Sequence, residues 1–270
     1  MACKGFLGRE GAGRPAGPAP GGAREAIRDP VGDRATGRRT AVWAHRGRGG
    51  GQQENTVEAF VWARRLGADG VELDVHLSAD GELVVHHDAV VPGSGPVAEL
   101  RAVDLPASVP LLADVLSVCQ GMEVDVEIKS PPLEGAPRPV GAVAAAVVGT
   151  VVGSGWTGRV VLSSFSTDVL DAALLASRSA GAEVRLGWLV PPGVDPHGVL
   201  EPAAARGYHC VHPFVGWVDA ALVRGARQAG LAINVWTVNA PADLRAMVGL
   251  GVDAVITDLP SEALVVAGGR

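Results

Sequence analysis

The sequence is short of cysteine, of long apolar runs and of positive charge, and each shortage removes a class of protein. Its three cysteines, Cys3, Cys119 and Cys210, make no CxxC spacing and cannot all pair. This gives no zinc signature and suits a reducing compartment, so a cytoplasmic location is expected. No stretch approaches about 18 consecutive apolar residues, so no integral membrane segment is expected. The first residues hold a short apolar patch but not the extended apolar region of a secretory signal. A formal net charge of −6 argues against a general nucleic-acid binder, and the composition does not speak to oligomeric state.

What the chain does have is apolar material: 47% of its 270 residues are hydrophobic, ample for the core of one large domain. Residues 1–38 are the exception. They are rich in Gly, Pro, Ala and Arg, and P-A-G-P-A-P-G-G at 15–22 offers too little apolar surface to offset its ordering entropy. This segment is expected to be a disordered extension preceding a domain over 39–270. From residue 40 onward, short β-branched runs alternate with Ala- and Leu-rich stretches. Strands are predicted at 41–45, 70–76, 123–129, 159–164, 184–190, 208–212, 232–238 and 253–257. Helices are predicted at 56–66, 111–119, 139–153, 167–179, 196–206, 218–229, 241–249 and 261–267. Eight strands, each followed by a helix-length segment, are the signature of a (β/α)8 TIM barrel, with a doubly wound open sheet as the rival. Asn55-Thr56 and Ser166-Thr167 supply helix caps, and glycines such as Gly67, Gly207 and Gly251 close helices. Ser78-Ala79-Asp80-Gly81 is a turn between two apolar runs, which predicts a small hairpin excursion after strand two, with loop-like residues 88–110 beyond it.

Polar residues gather at the predicted strand ends, where a barrel builds its active site. Strand one ends in His45-Arg46, strand two carries Glu72 and Asp74, and the following run ends in His87. In a strand, side chains alternate faces, so Glu72 and Asp74 share one face, as do Asp125, Glu127 and Lys129. Same-face carboxylates are costly unless a cation lies between them. Glu72, Asp74 and Glu127 are a ligand set suited to a hard divalent cation, Mg²⁺ or Ca²⁺. The planar fork of Arg46 matches a phosphate and Lys129 adds a mobile positive charge. His45 and His87 are the pair to take a proton from a nucleophile and give one to a leaving alkoxide. The residues thus point to a metal-assisted phosphodiester hydrolase. The bland assignments are that Asp125 pairs with Arg46 or Lys129, that Asn55 and Thr56 cap a helix, that Asp80 is a turn residue, and that His76, His209 and His212 are structural. Trp236 is either core or the wall of a substrate pocket.

The joint pattern resembles the glycerophosphodiester phosphodiesterase family. His45-Arg46-Gly47, Glu54-Asn55-Thr56 with Ala59-Phe60, Gly67-Ala68-Asp69 with Glu72 and Asp74, and Asp80-Gly81 with Val84-Val85 and His87-Asp88 follow its spacing. So do Glu127-Ile128-Lys129, Ser164-Phe165, V-W-T-V-N at 235–239 and G-V-D-A-V-I-T-D-L-P at 251–260. The resemblance implies a TIM barrel, a divalent metal on Glu72, Asp74 and Glu127, and acid/base roles for His45 and His87. It also implies phosphate contacts from Arg46 and Lys129, and hydrolysis of a small-molecule glycerophosphodiester to sn-glycerol 3-phosphate and an alcohol. Two alternatives stand beside it: a lysophospholipase D or phospholipase C-like activity on the same barrel, and a catalytically silent barrel that binds a phosphorylated ligand. Gln53 stands where the family usually has Pro, and A-V-V-P-G-S-G-P-V-A-E-L at 89–100 departs from its pattern, so the pocket above the catalytic set is expected to be reshaped.

Overall fold

The structure, a computed structural model, describes residues 39–129 and 139–268; the extension expected over 1–38 lies outside the described residues. In chain order the first part runs β1 (Ala41–His45), α1 (Val57–Leu66), β2 (Gly70–Leu77), β3 (Leu83–Val85), β4 (Val90–Val91), β5 (Gly95–Pro96), α2 (Leu112–Val118), β6 (Glu123–Ile128) and α3 (Val140–Gly153). It continues β7 (Val160–Ser164), α4 (Thr167–Ser179), β8 (Arg185–Val190), α5 (Leu200–Arg206), β9 (Cys210–Pro213), α6 (Ala220–Gln228), β10 (Ala232–Val235), α7 (Pro241–Leu250), β11 (Ala254–Thr257) and α8 (Pro260–Val266). Among the described residues, β1, β2 and β6 to β11 pair in parallel and close into a barrel where β1 meets both β11 and β2. This is the predicted (β/α)8 architecture, and the closure excludes the open sheet.

The strands divide their side chains between two cores. Outward positions such as Val42, Ala44, Leu73, Val124, Leu162 and Leu186 pack with the buried faces of the helices into one large apolar layer. Inward positions form a much smaller apolar cluster of Trp43, Val161, Cys210, Ala232, Ala254 and Ile256. Much of the rest of the barrel interior is polar, including the buried Asp125, Ser163, His212 and Asn234. Space there is tight. A Cβ on Gly187 of β8 would come within 2.5 Å of His212 Nε2 and 2.9 Å of Cys210 Sγ, so only glycine passes beneath that imidazole.

Local signals explain most boundaries. Thr56 caps α1 by accepting from Ala59 N at 3.3 Å. Gly67 ends the helix in the left-handed region at φ 88, a conformation that costs a residue without Cβ little. Ser166 holds the cap position of α4 but makes no side-chain cap bond. β10 stops at Val235 rather than 238: beyond it only an isolated Phe214–Trp236 bridge and a bond from Val238 N to Ile256 O at 2.9 Å extend the pairing. α5 starts at Leu200 rather than 196 because Asp195 Oδ1 accepts from His197 N at 3.0 Å, a local turn that competes with helix.

The excursion after β2 is more ordered than a loop. β3 runs antiparallel to β2, and β4 pairs with β5. Val84, Val91 and Val97 form a small core with Leu105, Val109 and Leu111 against it. Asp80 is the turn residue predicted, and it also pins this segment: its Oδ1 accepts from Ser78 Oγ at 2.6 Å and from Ala102 N at 3.0 Å.

Candidate active site

The polar strand ends meet at one mouth of the barrel. Pairing sets Glu72 of β2 beside His45 of β1, and Asp74 beside Glu127 of β6. One carboxylate oxygen from each of Glu72, Asp74 and Glu127 lies within 4.8 Å of the others, and all three residues are buried. Lys129, immediately after β6, lays its Nζ 2.7 Å from Asp74 Oδ1 and 2.8 Å from Glu127 Oε1.

The backbone around Arg46 is shaped for this site. Among the described residues, Arg46 (φ 52) and Asn55 (φ 55) are the non-glycine residues with positive φ, a conformation that costs on the order of 1–3 kcal/mol each. They hold one another, Asn55 N donating to Arg46 O at 2.9 Å. Both are aimed at the carboxylates: Arg46 N donates to Glu72 Oε2 at 3.2 Å, and Asn55 Nδ2 to Asp74 Oδ2 at 2.8 Å. Asn55 is therefore a positioning group for Asp74 and not a helix cap; Thr56 alone caps α1. The Arg46 guanidinium reaches Glu54 Oε1 at 2.9 Å and Asp74 Oδ2 at 3.3 Å, and Arg48 also pairs with Glu54. Glu54 is thus an arginine anchor.

The two histidines address different carboxylates and have different partners. His45 Nδ1 lies 2.7 Å from Asp258 Oδ1, and its Nε2 lies 3.8 Å from Glu72 Oε2. Asp258 follows β11 and is itself gripped by Asn239 Nδ2 at 2.7 Å. His87 Nδ1 lies 2.7 Å from Asp88 Oδ1, and His76 Nε2 meets the His87 carbonyl oxygen at 3.1 Å. The charge of Asp74 is felt at His87, which puts this imidazole on the Asp74–Lys129 side.

Electrostatics separates the groups. Burial, then repulsion from Asp74, Glu127 and Asp125, pushes the Glu72 carboxyl well above the usual range. Burial likewise pushes Glu127 up to about 7 against the pull of Lys129. Burial works in the same direction on Asp74, but Lys129 and Arg46 overcome it and hold that carboxyl down at about 2. Burial and Lys129 lower His87. For Asp258 the pull of His45 prevails over burial and holds the carboxyl low. Buried all-oxygen donors that raise one another's proton affinity fit a hard divalent cation, which would relieve the repulsion.

Several predicted partners lie elsewhere. Asp125 does not pair with Arg46 or Lys129. It sits one inward position below Glu127 and faces His212 Nδ1 at 3.2 Å, deep in the barrel. Burial opposes the His212 charge, but Asp125 prevails and raises this histidine to about 10. His209 accepts from Leu186 N at 3.2 Å and is structural. Trp236 is partly buried at the mouth, donates from Nε1 to His212 O at 2.7 Å, and meets Phe165 and Phe214 edge-on at 5.5 and 5.8 Å between ring centroids. The backing pair Asp258–Asn239 has no role in the sequence reading. Its signal was the pair of polar residues ending strands seven and eight.

Fold and site together define a barrel enzyme of the phosphoric diester hydrolase class. The profile of the glycerophosphoryl diester phosphodiesterase family matches residues 45–262, and the chain belongs to that family. A glycerophosphodiester phosphodiesterase of Caldanaerobacter subterraneus subsp. tengcongensis is 32% identical over 249 residues, which cover 82% of this chain and 95% of the relative. A solved glycerophosphodiester phosphodiesterase of Thermotoga maritima superposes with a TM-score of 0.69 at 26% identity, covering 83% of this chain and 96% of that one. An Oleispira antarctica phosphodiesterase, solved with the product sn-glycerol-3-phosphate, shares the fold with a TM-score of 0.71 at 23% identity, over 86% of this chain and 98% of its own. No helix among the described residues is long and apolar enough to cross a membrane.

Proposed function

We propose that this enzyme hydrolyses glycerophosphodiesters to sn-glycerol 3-phosphate and an alcohol. In this reading Glu72, Asp74 and Glu127 hold Mg²⁺ or Ca²⁺, and His45 and His87 move the protons. When bound, the cation neutralises charge that develops on the phosphoryl oxygens. Arg46 and Lys129, the cations beside the triad, bind the phosphate. The asymmetry of the histidines supports an order of roles. Burial and Lys129 favour neutral His87, which suits it to accept the proton of the attacking water. Asp258 accepts from His45 Nδ1 and fixes the orientation of the ring, which suits Nε2, on the side of the triad, to give a proton to the departing alkoxide. Trp236, with Phe165 and Phe214, walls the apolar side of the pocket. The segment 88–110 uses most of its valines and leucines in its own small core, which favours a small alcohol over a lysophospholipid. Free, buried Cys119 and Cys210 suit the cytoplasm.

The observation that carries the reading is the buried carboxylate triad with an aspartate-backed histidine 3.8 Å from one of its members. The test is glycerol 3-phosphate release from glycerophosphocholine in a coupled assay with Mg²⁺, Ca²⁺ or excess chelator. Release that needs metal and is lost in both His45→Ala and Glu72→Ala is expected. Chelator-resistant release, or folded His45→Ala protein retaining full rate, would refute it.

A further inference from the structure

The opposite mouth of the barrel, at the N-terminal strand ends, opens into a cavity of about 310 Å³ whose lining includes Arg39, Trp43, Glu123, Arg185, Arg227 and Asn234. Arg185 opens β8 from an inward position and is 6% exposed. Its Nη1 donates to Glu123 Oε1 at 3.1 Å. Its Nε and Nη2 are buried, and among the described residues neither has a hydrogen-bond partner. Those two N–H groups point the same way along one edge of the guanidinium, the edge that grips a carboxylate or phosphate with two parallel bonds. Arg101 of this chain uses that edge on Asp104, with Nε and Nη2 at 2.8 and 3.1 Å from the two carboxylate oxygens. Trp43, 3% exposed, lines the same cavity and carries a third buried donor, Nε1, without a hydrogen-bond partner among the described residues. Arginine and tryptophan side chains only donate, so this set asks for an acceptor.

The remaining charges around the cavity are engaged. Arg39 is held by Asp69 at 2.7 and 2.8 Å, and Arg227 Nη2 donates to Gly251 O at 2.8 Å. Of the lining acids, Glu123 is tied to Arg185, and Asp253 Oδ2 accepts from Ile233 N at 2.9 Å. The free edge of Arg185 repels a metal cation, and the volume equals several waters at about 30 Å³ each, enough for an oxyanion with part of its hydration. We propose that the N-terminal mouth of the barrel is a second binding site, in which Arg185 grips a small oxyanion, a phosphate or a carboxylate, with help from Trp43.

Equilibrium dialysis of the full chain against radiolabelled inorganic phosphate and, separately, radiolabelled acetate tests this. The comparison is with Arg185→Gln, in the presence of chelator. The catalytic mouth is the same in both proteins, so the difference isolates the Arg185 site. We expect one of the two anions to lose one site per chain in the variant, and which anion it is assigns the ligand as phosphate or carboxylate. Equal binding of both anions by the two proteins, each shown folded by circular dichroism, would overturn the proposal and leave a hydrated cavity. If Arg185→Gln does not fold, Trp43→Phe removes only the indole donor. A several-fold loss of affinity there supports the site, and unchanged affinity for both anions overturns it.

Discussion

The proton-donor role given to His45 depends on a carboxylate that reaches it only because the barrel closes, and removing that carboxylate has a calculable cost. Asn239 Oδ1 accepts from Asp258 N at 2.9 Å and from Thr257 Oγ1 at 3.2 Å, which fixes its amide so that Nδ2 points to Asp258 Oδ2. In Asp258→Asn, the new side-chain oxygen would take the Asn239 bond and turn its NH₂ toward His45 Nδ1. That would impose the opposite tautomer and remove the counter-charge of the imidazolium. A hydrogen bond to a charged group contributes about 1.5–3 kcal/mol. At about 1.4 kcal/mol per factor of ten, kcat for glycerophosphocholine is expected to fall about 10- to 150-fold. KM should change little, because Asp258 faces the far side of the imidazole from the substrate. Asp258→Ala, which leaves the ring free to turn, should lose no more than the asparagine variant. Steady-state kinetics with saturating metal measures both. A kcat within two-fold of the parent for Asp258→Asn, or a loss confined to KM, would refute the proton-donor role of His45.

Two further outcomes follow from the same geometry. Glu127 is raised to about 7 in the fold against about 4.3 unfolded, so its contribution to stability is present below pH 4.3 and lost as pH rises through 7. His212, raised to about 10, adds stability below pH 6.5 that is lost as pH rises through 10. Chelated protein should therefore melt progressively lower from pH 5 to 10, and Mg²⁺ or Ca²⁺ should restore several degrees at pH 7.5 in thermal-shift measurements; a melting temperature that rises over this range would contradict the carboxylate-triad electrostatics. Asn55→Ala removes a bond to a buried carboxylate and leaves a Cβ-bearing residue at φ 55, for a loss of about 2–4 kcal/mol in urea denaturation. Asn55→Gly, which relaxes the backbone and loses only the bond, should lose less, and equal losses would show that left-handed strain is not part of the cost.

The sequence carried the fold because period and punctuation agree almost everywhere. β1 spans Ala41–His45 and α4 spans Thr167–Ser179, as the short apolar run and the Ser166-Thr167 start signal predict. The acid cluster was legible for the same reason: a period of two puts Glu72 and Asp74 on one face. Depth along the barrel was not legible. Asp125 shares its face with Glu127, yet lies one pleat lower, and only the stagger between strands decides that it meets His212 instead of Lys129. Contacts made by closure were equally hidden: His45 and Asp258 stand 213 residues apart and meet because β1 pairs with β11. Asn55 illustrates a third limit, since a residue type suited both to caps and to left-handed backbone gives no sign of which it serves.

The segment after β2 has a consequence for how such enzymes diversify. Its beginning and end are fastened close together: Val84 bridges Leu111, and Val85 N donates to Pro110 O at 2.9 Å. Val91, Val97, Leu105 and Val109 pack with Val84 and Leu111, and Asp80 binds its middle at Ala102. A unit with adjoining ends and its own small core can be lengthened or shortened between Asp88 and Pro110, beyond His87, without disturbing the strands that carry the carboxylates. It behaves as a cassette whose length and surface can change from one barrel to the next while His87 and the carboxylates beneath it stay fixed.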